Sequence, residues 1–493
     1  MDGFLSEKKV KTLGGQIFTQ ALVEGEIPFP DSVELKKILE VKGEVEIKSV
    51  EVQKSKIALF GKIKLDIIGE DKKGELVSFT SWAGLEHEID SECARDNSTA
   101  SVRTIIQSID TSINEASIAL NTVVDIECTV CSLEDIKAFS EGEKIDDAEV
   151  KSEFFTSCDS FRIGGESFKL RDEVRINEIS EVIYTSGYAL VDKIHSNGAE
   201  VSVEGRINAY ILYKDQNGMH AAHECTVPFG ETLETQKAYD NVFARGKIEK
   251  ITSRVIGEEF ELASVEAQLK LELFATEENS ILLSADAYSP SIPFECEYEN
   301  KTLLLEKQRI EETVVINESL ELSESQIEAE RILWASAQAS NINAEVSNSK
   351  LILEGILTLH TVYVSREGYF NTLKEDIPYR IERNITVNDT SIVRAEVLYV
   401  DSKASTNGKN MDVSFTVAFE VNLFEKQDVS VISKICECEQ REVPHGIIIC
   451  SPLKDETLFD VGKRFNISCN DLLKTDPQIA DKIRDGKKIV LFI

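Results

Sequence analysis

Proline is scarce in this 493-residue chain, at 9 positions, and no long Gly/Ser-rich or Pro-rich tract interrupts it, so flexible linkers should be short. A basic excess is also missing. The formal net charge is −34, which removes the electrostatic footprint needed for nucleic acid, and an anionic membrane surface would repel the chain. No apolar run approaches the length of a transmembrane segment. Met1 to Val10 holds no apolar core of signal-peptide length, so residence in a cytosol is expected. The 10 cysteines are scattered and form no dense framework, as in a reducing compartment where most serve as small buried hydrophobes.

Catalytic signatures are equally wanting. There is no Walker A sequence, no H-E-x-x-H, no G-x-S-x-G and no G-x-G-x-x-G after a strand. His220 and His223 are three residues apart and would face opposite sides of a strand. The same holds for Cys128 and Cys131, which have no second C-x-x-C to complete a zinc site. Cys436 and Cys438 would share a strand face, but a metal there needs two further ligands, with Cys450 and His445 the nearest candidates. The expectation is a non-enzymatic protein without metal or cofactor. The acidic balance reads first as a solvated face and second as a surface for a basic partner.

What the chain does have is internal repetition. Three period-2 runs are each interrupted by a glycine: Gly61, Gly205 and Gly355. Thirteen residues after each stands a second glycine, Gly74, Gly218 or Gly368, in a hairpin-turn context that calls for positive φ. Twenty-three residues before each stands Ile38, Val182 or Ile332, followed by Leu39, Ile183 or Leu333. Sixty-nine residues after, the last two copies show Phe274 and Phe424, with the first copy about one residue out of step.

Alternating runs such as Val45–Val50, Val265–Leu271 and Val413–Phe419 imply antiparallel strands with one buried face. The expected fold is mainly β: three tandem antiparallel β-sandwich or open-barrel repeats over residues 1–140, 141–295 and 296–443. The mid-strand glycine marks a bulge or tight bend. One short helix per copy is expected, as at Ser32–Glu40 after Pro30-Asp31. The charged stretch Glu141–Glu153 reads as a connector with limited flexing.

Residues 444–493 differ. From Gly446 on there are 8 Lys+Arg against 7 Asp+Glu, a net of +1, which leaves about −35 for the rest. Gly446–Cys450 reads as a strand, Asp455–Phe465 as an amphipathic helix with acids in its first turn, Ser468–Lys474 as a second capped helix and Lys487–Phe492 as a closing strand. This βααβ segment resembles the LysM domain through Thr457, Leu458, Phe459, Leu472, Leu473, Pro477, Gly486 and Ile489. The resemblance implies a partner- or glycan-binding groove lined by Thr457, Leu458, Phe459, Asp476, Pro477 and Gln478. Asp476 stands where the family has Asn, and Asp485 where it has Pro, which favours a protein-docking LysM over one that binds N-acetylglucosamine polymers.

The segments Val23–Leu39 and Asp286–Pro290 resemble the SPOCS domain of endospore-forming clostridia. SPOCS repeats with a terminal LysM resemble spore-coat morphogenetic proteins. That resemblance implies a scaffold in the mother-cell cytosol, at the forespore surface, whose LysM binds the coat-basement ATPase, stage IV sporulation protein A. The alternative is a peptidoglycan-binding wall or cortex protein.

Overall fold

The computed structural model describes all residues except 1–4, 32, 140–147, 258–260, 323–326, 387–391, 408, 439–445 and 493. His445 and the start of the Glu141–Glu153 connector lie outside the described residues; Glu149–Glu153 already belong to a strand.

The chain is mainly β and antiparallel. The first six strands are β1 (Leu5–Pro28), β2 (Leu35–Gln53), β3 (Lys56–Asp71), β4 (Leu76–Asp90), β5 (Ser98–Ile113) and β6 (Ser117–Phe139). The next six are β7 (Glu149–Arg175), β8 (Ile179–Asn197), β9 (Glu200–Asp215), β10 (His220–Glu234), β11 (Val242–Ile256) and β12 (Leu262–Tyr288). A third six follow: β13 (Phe294–Glu321), β14 (Ala329–Ser347), β15 (Lys350–Ser365), β16 (Phe370–Asn384), β17 (Ile392–Thr406) and β18 (Asn410–Glu437).

Each set of six uses the same ladders. Strands two, three and four form one sheet, while strand six lies between one and five in the other. The first and third sets join into one longer sheet through the pair Thr12 and Leu303. Within each set the two sheets face each other across an aliphatic core. That core is built around Ile57, Leu65 and Val124 in the first set, Val203, Ile207 and Leu271 in the second, and Leu353, Phe415 and Phe419 in the third. Alternation of inward apolar and outward polar residues produces this, since successive strand side chains point to opposite faces.

Gly74, Gly218 and Gly368 adopt φ of 86°, 81° and 85° in the hairpins that follow β3, β9 and β15. Gly61, Gly205 and Gly355 sit in regular strand, and the bulge they accompany lies on the neighbouring strand. The ladder slips between Ile47 and Ser49, between Val191 and Lys193, and between Ser340 and Asn343. A Cβ on Gly61 would stand 2.5 Å from the Glu46 carbonyl oxygen, so glycine makes room for the bulged backbone opposite.

The expected helix at Ser32–Glu40 is a correction. Val33 N–H donates to the Pro30 carbonyl at 2.9 Å, closing a turn, and Leu35 already enters β2. Strands occupy the matching positions in β8 and β14. The cap signal at Pro30-Asp31 loses to ladder pairing with β3, a tertiary override of local preference.

The three sets meet cyclically. β4 packs on β8, β10 on β14, and β16 on β2. Where they converge, one apolar cluster draws corresponding residues from all three: Leu39 with Ile183 and Leu333, and Ile68 with Leu212 and Val362. A bulge in β2, β8 and β14 builds this junction. The ladder slips at Leu39, Ile183 and Leu333, so consecutive residues turn toward the neighbouring sets. A second shared cluster forms where the ends of β6, β12 and β18 approach, with Ile136, Leu283 and Val431 at its centre.

Candidate functional site

The C-terminal module folds around its own small core. β19 (Ile447–Cys450) pairs antiparallel with β20 (Ile489–Phe492). Between them lie α1 (Leu458–Phe465), α2 (Cys469–Thr475) and α3 (Ile479–Arg484). Thr457 caps α1 in a capping box with Asp460, and Asn466 ends the helix in the left-handed region at φ 55°. Ser468 caps α2 through the Asp471 amide. Val461, Leu472, Ile479, Ile483, Ile489 and Leu491 are buried together.

The two-helix expectation is corrected by α3. Pro477 fixes the chain just ahead of Ile479 and Ile483, which are four apart and both buried, so one more amphipathic turn closes the core.

The six expected groove residues do different work. Thr457 is an exposed helix cap, and Leu458 packs into the module's core. Phe459 turns the other way and meets Tyr288 of β12 edge to face, with ring centroids 5.1 Å apart. Asp476 ends α2. Its carboxylate accepts from Lys482 at 2.5 Å and from the Gln478 amide at 3.0 Å, and the Lys482 bond, with the amide bond next, holds it below the usual carboxylate range. Pro477 and Gln478 are exposed. One side of the expected groove therefore faces the rest of the molecule through Phe459, while the other side faces solvent.

The contact with the β-rich body is specific. Tyr288 donates its hydroxyl hydrogen to the Ile467 carbonyl at 2.8 Å, and the Cys469 amide donates to the Glu149 carboxylate at 2.9 Å. Lys463 pairs with Asp286 at 2.6 Å, Lys151 with Asp460 at 3.4 Å, and Asn466 donates to the Pro290 carbonyl at 3.2 Å. Burial, and then the hydrogen bond with Cys469, pushes the Tyr288 phenol well above its ordinary range, so it stays a donor at neutral pH. Gly462 permits the approach, because a Cβ there would run into the Tyr288 hydroxyl.

Tyr288, Glu149 and Lys151 escaped sequence reasoning as anchors. The signal available was the segment Asp286–Pro290, which supplies three of the contacts. Tyr288→Ala should free the module from the body. The Cys469 amide would then exchange about tenfold faster with solvent deuterium, the effect of losing roughly one buried hydrogen bond and its ring contact. An unchanged rate would remove Tyr288 from this role.

The other cysteine and histidine candidates sit in separate surroundings. Cys128 is buried in the first core, where burial pushes its thiol up to about 11, while Cys131 joins a different cluster with Leu304 and Phe424. His220 is buried against Phe370, with ring centroids 5.2 Å apart, and burial lowers its pKa. Cys436 donates to Glu297 at 3.1 Å. Among the described residues, no group of three or more His, Cys, Asp or Glu is placed to hold a metal, and no helix is long and apolar enough to cross a membrane.

No protein-family model matches the chain, and no curated protein matches it in sequence.

Proposed function

We propose that this is a non-enzymatic scaffold of the spore-coat morphogenetic type, made of three copies of one SPOCS-like unit and a LysM-like docking module. The observation that carries the reading is the module's dual placement: Phe459 and Tyr288 seat it on the body, while Pro477 and Gln478 remain open to a partner. The repeat reading draws support from the identical ladder order of the three strand sets and from corresponding residues meeting at one junction.

In this reading the partner is the coat-basement ATPase, stage IV sporulation protein A, met in the mother-cell cytosol at the forespore surface. Repeated β units multiply contact area for assembly. A glycan-binding role gains less support, since the ring at Phe459 is committed to Tyr288 rather than to a sugar face.

The test is co-purification of the full chain with that ATPase, set against a chain lacking residues 446–493. Removing the segment should abolish capture. Undiminished capture, or retention of residues 446–493 by purified peptidoglycan in place of the ATPase, would sink the proposal.

A further inference from the structure

Three corresponding positions at the central junction carry Glu40, Tyr184 and Trp334, each the residue that follows its bulge. Tyr184 and Trp334 meet edge to face at 5.1 Å, and Tyr210 approaches Trp334 at 6.5 Å. Apolar and aromatic residues from three directions thus close over the Glu40 carboxyl, while the two tyrosines turn their hydroxyls to other carboxylates, Tyr184 to Asp66 and Tyr210 to Asp401. Glu40 is 4% exposed. One of its oxygens accepts from the Ser336 hydroxyl on β14, and among the described residues the other has no hydrogen-bond partner.

The position of Glu40 matters because of chain connectivity. The first and second sets are consecutive in the chain, as are the second and third. The first and third are not, so their seam is held by non-covalent contacts. Around the junction it includes Ser336 with Glu40, Lys37 with the Phe370 carbonyl at 3.3 Å, Gln107 with Asn341 at 2.7 Å, and Arg103 with the Ala395 carbonyl, and farther off the Thr12–Leu303 strand pair and the Lys301–Glu134 ion pair at 2.5 Å. A buried oxygen without a partner is tolerable on a neutral carboxyl and costly on a carboxylate.

We propose that Glu40 is a proton-operated latch on this seam. With the carboxyl neutral, the first and third sets stay closed. Ionisation draws water toward the unpartnered oxygen and loosens them.

The surrounding charges fit such a latch. From its own set Glu40 faces Lys42, which favours the anion, and Asp66, which opposes it. The second set presents Tyr184, whose phenol burial raises, and the third presents Ser336 and the uncharged Trp334. His220, Lys214 and Glu75 form a separate group at the junction's edge. Burial, the largest influence, raises Glu40 from 4.5 to about 7. The folded state therefore binds the proton more tightly than the unfolded chain. Closure is complete below the unfolded value and is lost as pH rises through the folded one.

Trp334 reports on the junction directly. The other tryptophan, Trp82, is 44% exposed on β4 and is removable as Trp82→Phe. In full-length Trp82→Phe protein, acrylamide quenching of Trp334 should rise about threefold between roughly pH 5.5 and 8.5, with its midpoint near Glu40's own pKa. Adding Glu40→Gln should hold quenching at the low-pH level throughout. Should that variant not fold, Asp66→Asn serves instead. It removes a like charge and should move the midpoint to lower pH, whereas His220→Gln should leave it in place. A flat wild-type profile, a midpoint unmoved by Asp66→Asn, or a profile abolished by His220→Gln overturns the latch.

Discussion

Glu420→Ala is expected to destabilise the protein by about 3–5 kcal/mol, the cost of removing one partner from a buried ion group. Glu420 lies on β18 at 3% exposure, where the third set meets the second. It receives Arg309 from β13 and Arg245 from β11, with Asn422 donating to it at 3.0 Å. The Arg309 guanidinium lies 3.1 Å above the Phe243 ring, and Phe243 stacks on Phe274 at 5.1 Å. Deleting the carboxylate takes the buried partner from two guanidinium groups and leaves them only exposed ones, Glu311 for Arg309 and Glu396 for Arg245.

Burial by itself would raise the Glu420 carboxyl. The hydrogen bond from Arg309 and the charge of Arg245 together outweigh burial and hold it below its ordinary 4.5. The stabilisation is therefore present above the unfolded carboxyl's pKa and fades as acid drives pH down through the depressed one. Calorimetry at neutral pH, compared with a Glu420→Gln chain that keeps part of the hydrogen bonding, checks the assignment. A loss under about 1 kcal/mol, the range of an exposed pair, would show the group to be solvated.

Trp334→Ala is the second large effect, again about 3–5 kcal/mol, as for a large aromatic deleted from a packed site. Its consequence goes beyond the third set. The indole is 6% exposed and touches Tyr184 and Tyr210, both on the second set, in the cluster that also holds Leu39 and Ile68 of the first. The void would open among all three sets, so thermal unfolding should lose cooperativity and split into separable transitions. Phe415→Ala, in the interior of the third set, should lower stability by a similar amount without that splitting. One sharp transition in both variants would argue that the junction does not couple the sets.

Much of the strand architecture was legible, because period-2 alternation reports directly on burial. The offsets from Gly61, Gly205 and Gly355 found real features: turns at Gly74, Gly218 and Gly368, and bulges at Leu39, Ile183 and Leu333. The mismatch near Phe274 and Phe424 is also physical. Each stands beside a slip in its ladder, and the residue of β6 beside the corresponding slip is Cys131, one place later than the offset predicts.

The use of these features was hidden. Alternation tells which face of a strand is dry, but not whether a core or another strand set dries it. Arg103, Arg245 and Arg394 illustrate this. Each stands four residues before the bulge of its fifth strand, yet Arg103 reaches the Ala395 carbonyl, Arg245 joins Glu420, and Arg394 lies 4.9 Å from the Phe424 ring. The packing of the sets assigns Arg103 and Arg245 their partners in the third set, whereas Arg394 meets a ring of its own set. In the module, the caps at Thr457 and Ser468 carried local signals, whereas the destination of Phe459 depended on a tyrosine well upstream.

Closure after three also sets a limit on growth. The surface that β4 offers to β8 recurs between β10 and β14 and again between β16 and β2, which uses up the last free copy. A head-to-tail contact that did not return on itself would recruit further molecules without end. Here one polypeptide saturates it, so any larger array must be stitched from other faces.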